Sequence, residues 1–138
     1  MSTPKIAWTL SLVVLSCGGA AAGGAPAKTD TSSSPGAKLY AAECSGCHGA
    51  HGEGRGKTPR LVGEGALPVS RESRGAFENA KQLLDYVSTS MPLPKSRAGS
   101  LTKEQYLALV QWLLQGNGRQ APAGGLTEAN AASVVVNP

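Results

Sequence analysis

The sequence predicts an all-α fold of three main helices separated by long loops, and three stretches carry that expectation. Thr102 and Gln105 form a capping box ahead of Tyr106, Leu109, Val110 and Leu113, which recur at helical spacing. Leu101 and Tyr106 are set for a hydrophobic staple there, and Gly116 is the expected stop. Asn79 is a second N-cap, with Gln82 three residues on and Leu83, Leu84 and Val87 on one face. That helix ends before Met91-Pro92, because a residue preceding proline is pushed out of helical geometry. Ser34-Pro35 is the third start, an N-cap followed by proline at the first helical position. It leads into Gly36, Tyr40 and the alanine-rich residues 37–43.

Length and composition bound the rest. At 138 residues, some of them a targeting segment, the chain has room for one small domain, expected over residues 35–116. Tyr40, Phe77, Tyr86, Tyr106, Trp112 and Trp8 are all the aromatics, and Trp8 lies in the targeting segment. A core so short of large side chains is marginal on its own. Residues 49–74 are rich in Gly and Pro without helical periodicity and read as loop. Residues 117–138 read as a Gly/Pro/Ala-rich tail partly packed on the domain, with Ser133-Val134-Val135-Val136 as an extended strip. No internal repeat is visible.

Cys44-Ser45-Gly46-Cys47-His48 points to the missing apolar surface. It reads C-x-x-C-H, the spacing of covalent c-type haem attachment. Two cysteines three residues apart on one helical turn can each add to one of the two vinyl groups on a porphyrin edge. The histidine that follows is then held over the ring, with an imidazole nitrogen toward the iron. C-x-x-C also occurs as a redox dithiol or half a zinc site. A dithiol needs a thioredoxin-like context that is missing here, and zinc would have only His51 as a nearby fourth ligand.

The N-terminus agrees with an exported haem protein. In residues 1–17 Lys5 is the only charge, and the apolar run from Ile6 to Ser16 is too short to span a bilayer, as in a signal peptide. Val14-Leu15-Ser16-Cys17 followed by Gly18 resembles a lipobox, in which Cys17 is lipidated. Ala20-Ala21-Ala22 offers an ordinary signal-peptidase site instead. The lipobox is preferred because its cysteine falls at the end of the apolar run. Either route delivers the chain outside the cytoplasm, to the periplasm of a bacterium. One cysteine for lipid and two for haem uses all three. Residues 18–34, of small and polar composition, then read as a flexible tether reaching on the order of 25 Å from a membrane anchor.

From about Gly36 to Gly116 the chain resembles a mono-haem class I cytochrome c in its small bacterial form. The resemblance rests on the C-x-x-C-H motif, on Gly36 and Tyr40 four apart, on Gly56-Lys57-Thr58-Pro59-Arg60-Leu61 and on Met91-Pro92. It implies a class I cytochrome c fold, with three main helices and loops wrapped around one covalently bound haem c. Gly36 and Tyr40 would pack on the last helix at Leu109 and Trp112. Cys44 and Cys47 would carry the haem thioethers, with His48 and Met91 as axial iron ligands. Pro59 would accept the Nδ1–H of His48, and Leu61 would touch the haem. The residues themselves also favour Met91. It is the only methionine besides the initiator, in a loop where the chain must return over the haem, whereas His51 is too near His48 to reach the other face.

The expected function is one-electron transfer with redox protein partners as donor and acceptor, by a monomer that is not itself an enzyme. Two other readings stand beside it: a haem subunit of a membrane redox complex, or a peroxidase or gas-binding protein if Met91 does not stay bound. The net charge of +4 drops to +3 on loss of Lys5, and two haem propionates would offset most of that. Basic residues are scattered, without the aromatic interleaving of a nucleic-acid binder. Lys57, Arg60, Lys95 and Arg97 flank the two ligand loops, either as a ring that steers acidic partners or as ordinary solubilising charge.

Overall fold

The computed structural model describes residues 33–67 and 77–136. The expected export signal, Cys17 and nearly all of the expected tether lie outside the described residues. Helix α1 (Pro35–Glu43) starts as its sequence dictates: Ser34 Oγ accepts from Ala37 N at 3.2 Å, and Pro35 occupies the first turn, where no amide donor is needed. At Cys44 the backbone leaves helical geometry, although its N–H still reaches Tyr40 O at 2.9 Å. One further turn, α2 (Ser45–His48), follows at once.

Helix α3 (Ala80–Ser90) is capped by Asn79, whose side chain accepts from Gln82 N at 3.1 Å. Ala80, Leu83, Leu84 and Val87 are its buried residues. A turn of 3₁₀ helix (Lys95–Arg97) leads to α4 (Lys103–Gly116), where Thr102 and Gln105 form the reciprocal capping box. Tyr106, Leu109, Val110, Leu113 and Leu114 make the buried stripe of α4. The helix ends at Gly116 as expected, but the left-handed turn comes two residues later. Gly116 is still helical, Asn117 is the cap, and Gly118 at φ 70° is the residue that turns the chain. Arg119 N bonds Leu114 O at 2.8 Å and Gly118 N bonds Gln115 O at 3.0 Å, the paired bonds of a Schellman ending. The left-handed residue must follow the cap, so the second glycine of Gly116-Asn117-Gly118 does this work.

The packing runs through α4. Helices α1 and α3 both lie on it, and α5 (Glu128–Ala131) lies on α3. The α1–α4 crossing is close because Gly36 has no side chain: an added Cβ would sit 2.7 Å from Trp112 Cβ and closer still to the Ala108 carbonyl. One turn along, the Tyr40 ring stacks on Trp112 with centroids 4.3 Å apart and planes 26° apart. No strand occurs among the described residues; Arg55 with Thr58 and Asn79 with Val135 form isolated bridges.

The tail contributes more than an extended strip. Thr127 and Asn130 form a second reciprocal capping box that starts α5. Leu126, Ala131, Val134 and Val136 are buried in the common core, while Val135 between the last two faces outward. Gln111 Oε1 accepts from Leu126 N at 2.8 Å, and Val136 N donates to Glu78 O at 2.9 Å, so one side-chain bond ties the tail to α4 and one backbone bond ties it to the start of α3.

Two substitutions test this packing, with a third as control. Gly36→Val overpacks the α1–α4 crossing and should cost about 1–3 kcal/mol, read as a melting temperature lowered by roughly 4–8 °C per kcal/mol. Leu126→Ala should cost about 2–5 kcal/mol by leaving a cavity under the tail, whereas Leu93→Ala, at a residue 59% exposed, should fall within about 0.5 kcal/mol. Equal melting temperatures for the two alanine variants would contradict a structural role for the tail.

Candidate functional site

The side chains of the expected site come from the α1–α2 turn, the loop that follows it and the end of α3. Cys44 is half-buried and packs against the core, and Cys47 is exposed one turn later. Burial first, then the Glu43 and Cys47 charges, pushes the Cys44 thiol up to about 11. His48 ends α2 and is only 8% exposed. Its Nδ1 lies 2.9 Å from Pro59 O. A carbonyl can only accept, so Nδ1 carries the hydrogen and donates it, which leaves the lone pair of the neutral ring on Nε2. That is the tautomer a metal-binding imidazole needs.

Tyr40 ties this turn to α1, since its hydroxyl donates to Gly49 O at 2.6 Å. Burial is the first cause that pushes the Tyr40 phenol up to about 12, with the Cys44 and Glu53 charges adding to it. The phenol therefore stays a neutral donor at physiological pH. His51 is exposed in the turn beyond, where its backbone N donates to Glu53 Oε2 at 2.7 Å.

Leu61, two residues past Pro59, is partly buried against the core. Its N–H bonds Gly52 O at 2.7 Å, and its carbonyl accepts from Asn117 Nδ2 at 2.8 Å. Met91 caps the C-terminus of α3, with its N–H on Val87 O, and its side chain packs on the same core cluster as Cys44 and Leu61. Tyr106 Oη donates to Met91 O at 2.8 Å, so the first turn of α4 holds the backbone from which the thioether projects. The sequence places Tyr106 in a hydrophobic staple and in the apolar stripe of α4 but gives no sign of this bond.

Among the basic residues flanking the loops, Lys57, Arg60 and Lys95 are exposed, but Arg97 is not a free charge. It donates to Glu43 Oε2 at 2.6 Å, joining the loop after Met91 to the end of α1. The donor set suits a covalently held haem: two thiols one turn apart, an imidazole with Nε2 free, and partly buried Leu61 and Met91 on one core. No helix among the described residues is long and apolar enough to cross a membrane.

Comparison with known proteins agrees with this geometry. The cytochrome c family model matches residues 33–117, well over half of the chain. Among solved structures, the crystal structure of the sulfane dehydrogenase SoxCD from Paracoccus pantotrophus is similar, with a TM-score of 0.56 and 28% identity over 74% of this chain. The match takes in 51% of that chain, so this protein spans about half the length of the chain it resembles. No curated protein matches the sequence. The C-x-x-C-H turn, the helical architecture and the family match together make this chain a member of the cytochrome c family, a mono-haem c-type cytochrome with covalently bound haem c.

Proposed function

We propose that this cytochrome c carries single electrons between redox proteins outside the cytoplasm, in a respiratory or related chain, with His48 and Met91 as axial ligands. The observation that carries the reading is the His48 Nδ1 contact with Pro59 O at 2.9 Å, which presents Nε2 as a ligand beside the two thiols. Cys44 and Cys47 would hold the haem through thioethers, Leu61 would cover part of its surface, and Met91 would supply the soft sulfur. When bound, the haem supplies an iron that stores one electron by alternating between the ferric and ferrous states.

The chain's own residues set how easily that happens. The Pro59 carbonyl fixes the His48 ring and makes it a stronger donor. A thioether favours Fe(II), as does burial, which penalises the more charged Fe(III) state. Together they produce a positive midpoint, above that of a bis-histidine site. The protein is not itself a catalyst in this reading. Lipidation at Cys17 would anchor it to a membrane, with residues 18–34 as tether.

A second reading has one observation behind it. The similar chain comes from the crystal structure of a sulfane dehydrogenase, which supports a role for this protein as the electron-accepting haem subunit of a dehydrogenase. Co-purification with a larger catalytic chain would favour it over a free carrier. A peroxidase or gas-binding role requires an open sixth position, which a bound Met91 denies.

Visible spectra of the haem-loaded protein test the ligands. Sharp reduced α and β bands with a weak far-red band in the ferric form are expected, together with a positive midpoint and no carbon monoxide binding to the ferrous protein. Met91→Ala should lose the far-red band, bind carbon monoxide and lower the midpoint; a negative midpoint in the unaltered protein would remove Met91 as ligand. Lys57→Glu with Lys95→Glu tests the basic surface. The second-order rate with an acidic partner should fall about tenfold at low salt and recover toward the original value as salt screens the charges. An unchanged rate at low salt would mark these lysines as solubilising charge.

A further inference from the structure

We infer that Asn117 is a positioning residue for the proximal histidine, acting from the far end of α4 through the loop that carries Pro59; this rests on the His48 and Pro59 roles proposed above. The Asn117 side chain makes three hydrogen bonds. Its Nδ2 donates to Leu61 O at 2.8 Å and to Leu113 O at 2.8 Å, and its Oδ1 accepts from Gly63 N at 3.1 Å. Both hydrogens and the oxygen are used, which settles the orientation of the amide. Two of the three bonds go to a segment more than fifty residues away in sequence, and they bracket Leu61, Val62 and Gly63 as an adjacent strand would.

The same segment is gripped from its other side. Gly52 O, in the turn after His48, accepts from Leu61 N at 2.7 Å and from Val62 N at 3.1 Å. The loop is therefore held between the haem-motif turn and α4, and the Pro59 carbonyl lies two residues upstream of the clamp. Without the Asn117 side chain, Leu61 O loses a partly buried partner and Gly63 N an exposed one, and relaxation of the loop moves the carbonyl on which the His48 Nδ1–H depends. The helix cap alone requires only the bond to Leu113 O. The bonds to Leu61 and Gly63 add nothing to α4 itself, so they act on the loop.

The test separates loop from helix. Asn117→Asp keeps the acceptor for Gly63 N and removes both donors, and Asn117→Ala removes all three bonds. Gly118→Ala damages the same helix ending at φ 70° without touching the loop. In the ferrous haem-loaded protein, hydrogen exchange of the His48 Nδ1–H is followed by NMR beside the midpoint and the melting temperature. Both Asn117 variants should speed that exchange about tenfold, the scale of one or two lost hydrogen bonds, and should raise the midpoint because His48 becomes a weaker donor. Gly118→Ala should lower the melting temperature with little change in either. If the Asn117 variants change exchange and midpoint no more than Gly118→Ala does at equal loss of stability, Asn117 is a helix cap only and the inference is overturned. An unprotected Nδ1–H in the unaltered protein would instead overturn the His48–Pro59 reading, and the inference with it.

Discussion

The close crossing of α1 on α4 at Gly36 is the contact on which the site depends. Any side chain at Gly36 would meet the Ala108 carbonyl and Trp112, so the two helices can touch backbone to side chain only where the residue is glycine. Tyr40 then stacks on Trp112 and turns its hydroxyl to Gly49, carrying the geometry of the crossing into the turn that bears Cys44, Cys47 and His48. Helix α4 passes that geometry to both remaining loops. At its start Tyr106 holds the Met91 carbonyl, and at its end Asn117 holds the loop beyond Pro59. One helix thus references every side chain of the proposed ligand set.

The core explains why a protein this poor in aromatics can be a folded domain. Its buried residues are mostly leucine, valine and alanine from α3, α4 and the tail, with Tyr40, Tyr106 and Phe77 as the large members. Cys44, Leu61 and Met91 border this cluster without being fully covered. Covalent haem c adds a large apolar surface to such a border. The tail adds more from the other side, because Leu126, Ala131, Val134 and Val136 close over the region of α3 and α4.

Much of the site was legible because its chemistry is local. Cys44, Cys47 and His48 fall within five residues, and the spacing alone states the haem attachment. The caps were legible for the same reason: Ser34, Asn79 and Thr102 each bond an amide three residues on. The second capping box, at Thr127 and Asn130, obeyed the same rule, but it sat in a stretch whose composition reads as tail and was passed over. The helix end at Gly116 was legible, but Gly116 and Gly118 are both glycines near the end of the apolar stripe, and only the backbone angles show which one is left-handed.

The bonds that cross the chain were not legible. Arg97 reads as a free surface charge until Glu43 is seen beside it, fifty-four residues earlier. Asn117 reads as the first residue of the Gly/Pro/Ala-rich tail until its amide is seen on Leu61 and Gly63. The sequence by itself determined the fold class, the helix starts and the haem-bearing turn, since these follow from periodicity, capping and covalent spacing over a few residues. Tertiary structure alone decided how the Pro59 and Met91 loops are fastened, because an isolated amide, hydroxyl or guanidinium has many possible partners. Which partner it takes depends on how closely α1 and α4 approach.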